Sequence, residues 1–360
     1  MEASPFPYQG PLAPSQVKGR DDLLSDLTER VSERRVTALL GPRRYGKTST
    51  LRRLAADLSE VSTVWVDLYE VASMADVAAR FDEALASTSG AFGTLARQVA
   101  VSLSLNLGVV RVGLIGPARR RPDPALALQG LLEVLVGAAR RAPTLLVIDE
   151  FSFVARVPGA AGAIRTATQH HYQDLGMIFA GSHPSMMRAL FTRRAEPFYG
   201  QADLVDIGPL SHGAVEEVVA SGFASTGRDA GSLGGRLWSF AHGHPQRTMQ
   251  LADACWRRTP AGGRGDDHWA EGLADVQTAC DEVMERLYSQ FNPGERSVLR
   301  SIALAGTIYG AEAVLLDLSK GTATHARDAL MDKGELVEAD GEVRLVDPLL
   351  RDWARRRFPI

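Results

Sequence analysis

Gly41-Pro-Arg-Arg-Tyr-Gly46-Lys47-Thr48 narrows what this chain can fold into more than any other segment. Two glycines separated by four residues, followed by Lys and Thr, suit a loop whose backbone N–H groups curl around phosphates. The glycines permit positive φ and close approach. The lysine reaches the β- and γ-phosphates as a compact point charge, and the next hydroxyl ligates Mg²⁺. Lysine is scarce here. Only Lys18, Lys47, Lys320 and Lys333 occur, and the rest of the 40 basic residues are arginine. With these residue frequencies a chance match is expected roughly 0.004 times per such sequence. The flanks agree. Val36-Thr-Ala-Leu-Leu40 reads as a buried strand, and Leu51, Leu54 and Leu58 repeat at helical spacing, so phosphates would lie at a helix N-terminus. Gly41, Pro42, Arg43, Arg44, Tyr45, Gly46, Lys47, Thr48 and Ser49 are therefore the expected nucleotide-binding set.

A second apolar run, Thr144-Leu-Leu-Val-Ile148, ends in Asp149-Glu150. A carboxylate at the C-terminal end of a buried parallel strand can serve the metal, while its neighbour polarises the attacking water. Asp149 is assigned with Thr48 to Mg²⁺, and Glu150 to the base. Lys47 is expected to act in catalysis as well as in binding. A third strand, Met177-Ile-Phe-Ala180, leads into Gly181-Ser182-His183. Ser182 would either touch the γ-phosphate or water, or cap the helix opened by Pro184. Thr63–Asp67 and Leu204–Ile207 complete five strands alternating with helical segments, which argues for a parallel sheet covered on both faces.

At 360 residues the chain suits two or three domains. A net charge of −3 gives no global argument for nucleic acid or anionic membrane. Two cysteines, Cys255 and Cys280, fit a reducing compartment, and no run approaches the roughly 18 apolar residues of a membrane span. A cytoplasmic location is expected.

These residues resemble a P-loop ATPase on the AAA+/STAND branch, most of all the archaeal-type ATPases with a C-terminal winged helix, which are related to archaeal origin-recognition ATPases. The resemblance spans nearly the whole chain. Val17-Lys-Gly19-Arg20-Asp21-Asp22 is similar to the Gly-Arg-Asp/Glu box that flanks the adenine. Asp149-Glu150-Phe151 matches the branch's second motif and Gly181-Ser182 its sensor strand. Gly243-His244-Pro245 resembles the GxP element of a helical lid, whose proline packs on the base; a proline that merely starts a helix is the alternative for Pro245. The resemblance implies an α/β fold with a five-stranded parallel sheet in the order 5-1-4-3-2, ATP and Mg²⁺ as cofactors, and ATP hydrolysis. The branch often uses an arginine to complete a neighbour's site. Arg188, Arg193, Arg194 and Arg247 are candidates, and no motif selects among them.

The expected organisation is an ATPase core over residues 1–210, a helical lid over 211–285 and a winged-helix domain over 286–360. Within the core, alternating Val101, Leu103, Leu105 and Val109–Val112 predict an inserted hairpin at about 101–122, ending in the basic loop Arg119–Arg121. In the lid, Trp238, Met249, Leu251 and Trp256 are the expected core, and Ala261–Asp266 a flexible loop. Asn292-Pro-Gly-Glu295 announces a helix through Ala305, with further helices over 312–318 and 322–333. Asp340-Gly341 then turns a hairpin before a helix carrying Trp353. From Asn292 to Ile360 ten basic residues face eleven acidic ones, so the module suits protein contact or self-association rather than DNA. With the resemblance, the expected function is a nucleotide-controlled regulatory switch that hydrolyses ATP. The alternatives are an ATP-dependent DNA-binding protein using the winged helix, Arg119–Arg121 and Arg355–Arg357, and a scaffold that binds ATP with little turnover.

Overall fold

The computed structural model describes residues 2–107, 123–308, 320–339 and 341–359. The chain divides into two compact units. One joins Asp21–Gly41 with Lys47–Ile207; the other joins Met1–Arg20, Pro42–Gly46 and Gly208–Ile360.

The first unit is built on five parallel strands: β1 (Val36–Leu40), β2 (Ser62–Asp67), β3 (Thr144–Asp149), β4 (Gly176–Gly181) and β5 (Asp203–Asp206). They lie in the order β2-β3-β4-β1-β5, the expected order counted from the other edge. Every residue of β1, β3 and β4 is buried, as strands covered on both faces require. The helices of this unit are α1 (Asp21–Ser32), α2 (Lys47–Asp57), α3 (Met74–Ser87), α4 (Gly90–Leu107), α5 (Pro124–Ala139), α6 (Ala160–Thr168) and α7 (Pro184–Thr192). Phe151, Phe179, Phe191 and Phe198 close the core beside β4 with ring centroids 4.5–6.0 Å apart.

One expectation is corrected. Residues 101–107 are not a hairpin strand but the last turns of α4. Buried Phe92, Ala96 and Ala100 recur every four residues, and this helical period overrides the short alternation that follows. The remainder of the expected hairpin, with Arg119–Arg121, lies outside the described residues.

The second unit is helical: α8 (His212–Ala224), α9 (Leu233–Ala241), α10 (Pro245–Arg258), α11 (Trp269–Ser289), α12 (Pro293–Ala305), α13 (Lys320–Asp332) and α14 (Pro348–Arg357). Met249, Leu251 and Trp256 are buried, and Trp238 is half-buried. The expected loop Ala261–Asp266 is tied down at its end, since Asp266 accepts from the Ser232 amide and hydroxyl at 3.0 Å each. α11 runs unbroken through residue 285, where the sequence suggested a boundary. Asn292 and Glu295 form the expected reciprocal cap of α12. Strands β6 (Leu336–Ala339) and β7 (Glu342–Leu345) pair antiparallel with Ala339 opposite Glu342; Asp340 of the expected Asp340-Gly341 turn lies outside the described residues. The helix expected over 312–318 lies outside the described residues. Among the described residues no helix is long and apolar enough to cross a membrane.

Candidate functional site

The site in the sheet-bearing unit gathers at the C-terminal ends of β1, β3 and β4. β1 runs directly into Gly41, where any side chain is excluded: a Cβ there would sit 2.3 Å from Ile207 Cγ2 and 3.0 Å from the Ile207 carbonyl oxygen. Lys47 opens α2 with 5% of its surface exposed, and its Nζ donates to the Gly41 carbonyl at 2.7 Å. The cation is thus folded back over the loop whose amides would face phosphate. Thr48, next along the helix, donates from Oγ1 to Asp149 Oδ2 at 2.8 Å. The two residues assigned to the metal are therefore already in contact.

Asp149, the last residue of β3, is 4% exposed. Burial raises its carboxyl above the ordinary value, with Glu150 adding to the rise, while the Thr48 hydrogen bond and the Lys47 charge oppose it. A buried carboxylate with this balance favours a cation beside it.

Glu150 leaves the strand in the left-handed region, with φ 52° and ψ 37°. A non-glycine residue there is strained, and such strain clusters at functional positions. Its amide donates to Asp149 Oδ1 at 3.0 Å. Its Oε2 accepts from both the Ser182 hydroxyl at 2.7 Å and the Ser182 amide at 3.2 Å. Ser182 is 2% exposed and follows directly on β4. Of the two uses foreseen for Ser182, capping is set aside. The residue at the N-cap of α7 is His183, and the Ser182 hydroxyl is committed to Glu150.

The tip of the phosphate loop, Pro42–Gly46, belongs to the second unit. Arg44 and Gly46 have φ of 68° and 88°, which turn the chain around Tyr45; Arg43 and Arg44 point to solvent. Arg20 donates through Nη2 to the Tyr45 carbonyl at 3.2 Å and through Nη1 to the Pro209 carbonyl at 3.4 Å. Burial lowers its pKa to about 10, with Tyr45 opposing. Arg20 thus braces the loop backbone. Pro245 is the first residue of α10 and half-buried, in the helix-start position that was its alternative.

Of the four arginines weighed for a neighbour's site, Arg188 pairs with Asp206 at 2.9 Å, and Arg193 and Arg194 are exposed. Arg247 is 5% exposed and paired with Asp347, so it is not a free surface cation. His244, the middle residue of the GxP-like element, is buried against Tyr45 with ring centroids 5.0 Å apart. No local pattern foretold that contact.

A parallel sheet in this order, with a glycine-rich loop between β1 and α2 and Asp-Glu closing β3, is the nucleotide-binding core of a P-loop ATPase. Residues 29–188 match the family model described as the AAA domain, and the chain carries an ATPase domain of that type. Among solved structures the chain is similar to the Walker-type ATPase of Pyrococcus abyssi. The TM-score is 0.73 at 17% identity, covering 98% of this chain and 99% of that one. Similarity extends to the Aeropyrum pernix ORC1 protein in complex with DNA, with a TM-score of 0.47, 14% identity, and 94% and 93% covered. The Thermotoga maritima RuvB Holliday junction branch migration motor gives 0.46 at 12% identity, with 99% of each chain covered. No curated protein matched.

Proposed function

We propose that this ATPase is an Mg²⁺-dependent nucleotide switch. The observation that carries this reading is the paired arrangement of Thr48 with Asp149 and of Ser182 with Glu150, beside Lys47 at the strand ends. Lys47 and the loop amides hold the phosphates. Thr48 and Asp149 would hold Mg²⁺, which supplies charge neutralisation on the β- and γ-phosphate oxygens when bound. These residues fit that ion. Mg²⁺ is usually held by one or two carboxylates plus phosphate oxygens rather than by an all-protein cage, and one buried carboxylate with an adjacent hydroxyl meets that need. Glu150, oriented by Ser182, accepts the proton of the water that attacks the γ-phosphorus as the bond to the ADP oxygen breaks. The chain contains no Asn-Lys-x-Asp of the kind that reads guanine, which favours ATP over GTP.

Around the phosphate loop, Arg20 and Pro245 would flank the adenine, and residues 211–285 would act as the lid. The helices α12 and α13, the β6–β7 hairpin and α14 suit a winged helix. The exposed residues of α13, among them His325 and Asp328, and the acidic hairpin suit a protein partner or a second copy of the chain rather than duplex DNA.

Calorimetry and phosphate release test the site together. Lys47→Ala is expected to lose tight ATP binding, and Glu150→Gln to keep binding and lose turnover. ATP binding by Lys47→Ala like that of wild type sinks the site assignment. The switch is tested by hydrogen exchange with an ATP analogue and Mg²⁺. Protection is expected over 211–259 and altered exchange beyond 292; protection confined to 41–50 and 149–150 leaves a static ATP site instead.

A further inference from the structure

Tyr45 occupies the middle of the phosphate loop, yet it is only 8% exposed. It meets the His244 ring edge-on, with an interplanar angle of 67°. His244 is itself fixed, because its Nδ1 accepts from the Arg247 amide at 3.3 Å and so caps α10. Arg247 then reaches Asp347 through Nε at 3.0 Å to Oδ1 and 3.2 Å to Oδ2, and through Nη2 to Oδ2, while its Nη1 donates to Gln250 Oε1 at 2.6 Å. Asp347 in turn accepts from the Leu349 amide at 2.9 Å, capping α14. A run of contacts, the first between two rings and the rest hydrogen bonds and an ion pair, therefore leads from the loop that would grip phosphate to the start of the last helix.

Stability alone is a poor account of this ion pair. Arg247 is buried and Asp347 is only 14% exposed at its side chain, and apolar residues of similar volume stabilise such positions as well or better, because two charges need not be desolvated. What a forked guanidinium–carboxylate contact does better is fix one geometry. The local charges agree with a pair that stays ionised: burial pushes Asp347 upward, but the Arg247 charge and hydrogen bonds outweigh it and hold the carboxyl below its ordinary value. Burial also takes His244 down to about 4, so the ring is neutral and can accept the Arg247 amide.

We propose that Arg247 and Asp347 are positioning residues for nucleotide binding: their pair sets the start of α10, against which His244 seats Tyr45 and with it the phosphate loop. The proposal rests on the nucleotide-binding role of Gly41–Thr48. It assigns neither residue a contact with the nucleotide.

The test is a double-mutant cycle on the full chain, with mant-ATP and Mg²⁺ as the probe and thermal melting recorded separately. Asp347→Asn keeps a side chain able to cap α14 but removes the charge. Asp347→Asn and Tyr45→Ala should each weaken binding about tenfold, a coupling of ordinary size for contacting residues. The double variant should bind no more weakly than the worse single one, because both act through the same seat. Wild-type affinity in Asp347→Asn, or losses that multiply to about a hundredfold, overturns the proposal. If Asp347→Asn does not fold, Arg247→Lys takes its place under the same criterion, since lysine keeps the charge and loses the fork. Lys47→Ala separates the two levels. Lost binding there beside unchanged Asp347→Asn overturns the relay alone, whereas unchanged binding in Lys47→Ala removes the nucleotide-binding role beneath both.

Discussion

Ser182→Ala isolates one interaction at the ATPase centre. In the wild type one Glu150 carboxylate oxygen accepts two hydrogen bonds from the same residue, the hydroxyl at 2.7 Å and the amide at 3.2 Å. The substitution removes the shorter one and leaves the longer. Hydrogen bonds to a charged group contribute about 1.5–3 kcal/mol. The surviving amide bond still restrains the same oxygen, and the backbone of Glu150 is fixed in its left-handed conformation, so the loss should fall at the lower end. About 1.5 kcal/mol expressed wholly in the transition state is roughly a tenfold fall in kcat. ATP affinity should change by less than about twofold, because Ser182 is argued to act on the base and not on the nucleotide. Phosphate release under saturating ATP and Mg²⁺, with KM from the same series, reads both quantities. A kcat within about twofold of wild type, or a loss carried by KM, would refute the claim that Ser182 orients the base.

Two further outcomes follow from the same geometry. Glu150→Gly and Glu150→Ala both remove the carboxylate and should both abolish turnover, but glycine tolerates φ 52° freely, so Glu150→Gly should be the more stable of the two by about 1 kcal/mol in denaturant melts; equal stability would show that the left-handed turn carries no strain. His244 gives a pH dependence whose sign is fixed by its pKa of about 4 in the fold against the ordinary 6.5. Its contribution is whole above pH 6.5 and is lost as the pH falls towards 4, by about 3 kcal/mol in all, and His244→Asn, which can still cap α10, should flatten that part of the stability profile.

The glycine-rich loop between β1 and α2 was legible in sequence because each of its conformational demands falls on adjacent residues. Glycines must sit where φ turns positive or where a Cβ would strike Ile207, and lysine and threonine must follow directly at a helix start. Buried strands were legible for a similar reason, since apolar runs such as Val36–Leu40 and Thr144–Ile148 have little else to become. Ser182 was found by position but not by contact: whether its hydroxyl faces phosphate, an amide or Glu150 depends on the register of β4 beside β3, which no local pattern encodes. The Arg247–Asp347 pair was out of reach for the same reason, because its partners stand a hundred residues apart. Residues 101–107 misled because alternation over a few positions fits the tail of a helix as well as a strand, and only buried Phe92, Ala96 and Ala100 upstream settle the period.

Asp149 and Glu150 are neighbours of the same chemical type, and the backbone makes them different. Asp149 is still in β3, buried and paired with Thr48, where desolvation makes an ionised carboxylate costly unless a cation comes to it. Had Glu150 continued the strand, its side chain would have turned to the opposite face of the sheet, as successive strand residues do. The left-handed turn at φ 52° ends the strand instead and lets the carboxylate reach Ser182 at the end of the adjoining β4. One residue out of the ordinary backbone regions therefore gives two neighbouring carboxylates different surroundings, one buried beside Thr48 and one held by Ser182. Such a difference is what the proposed roles of Asp149 on Mg²⁺ and Glu150 on water require.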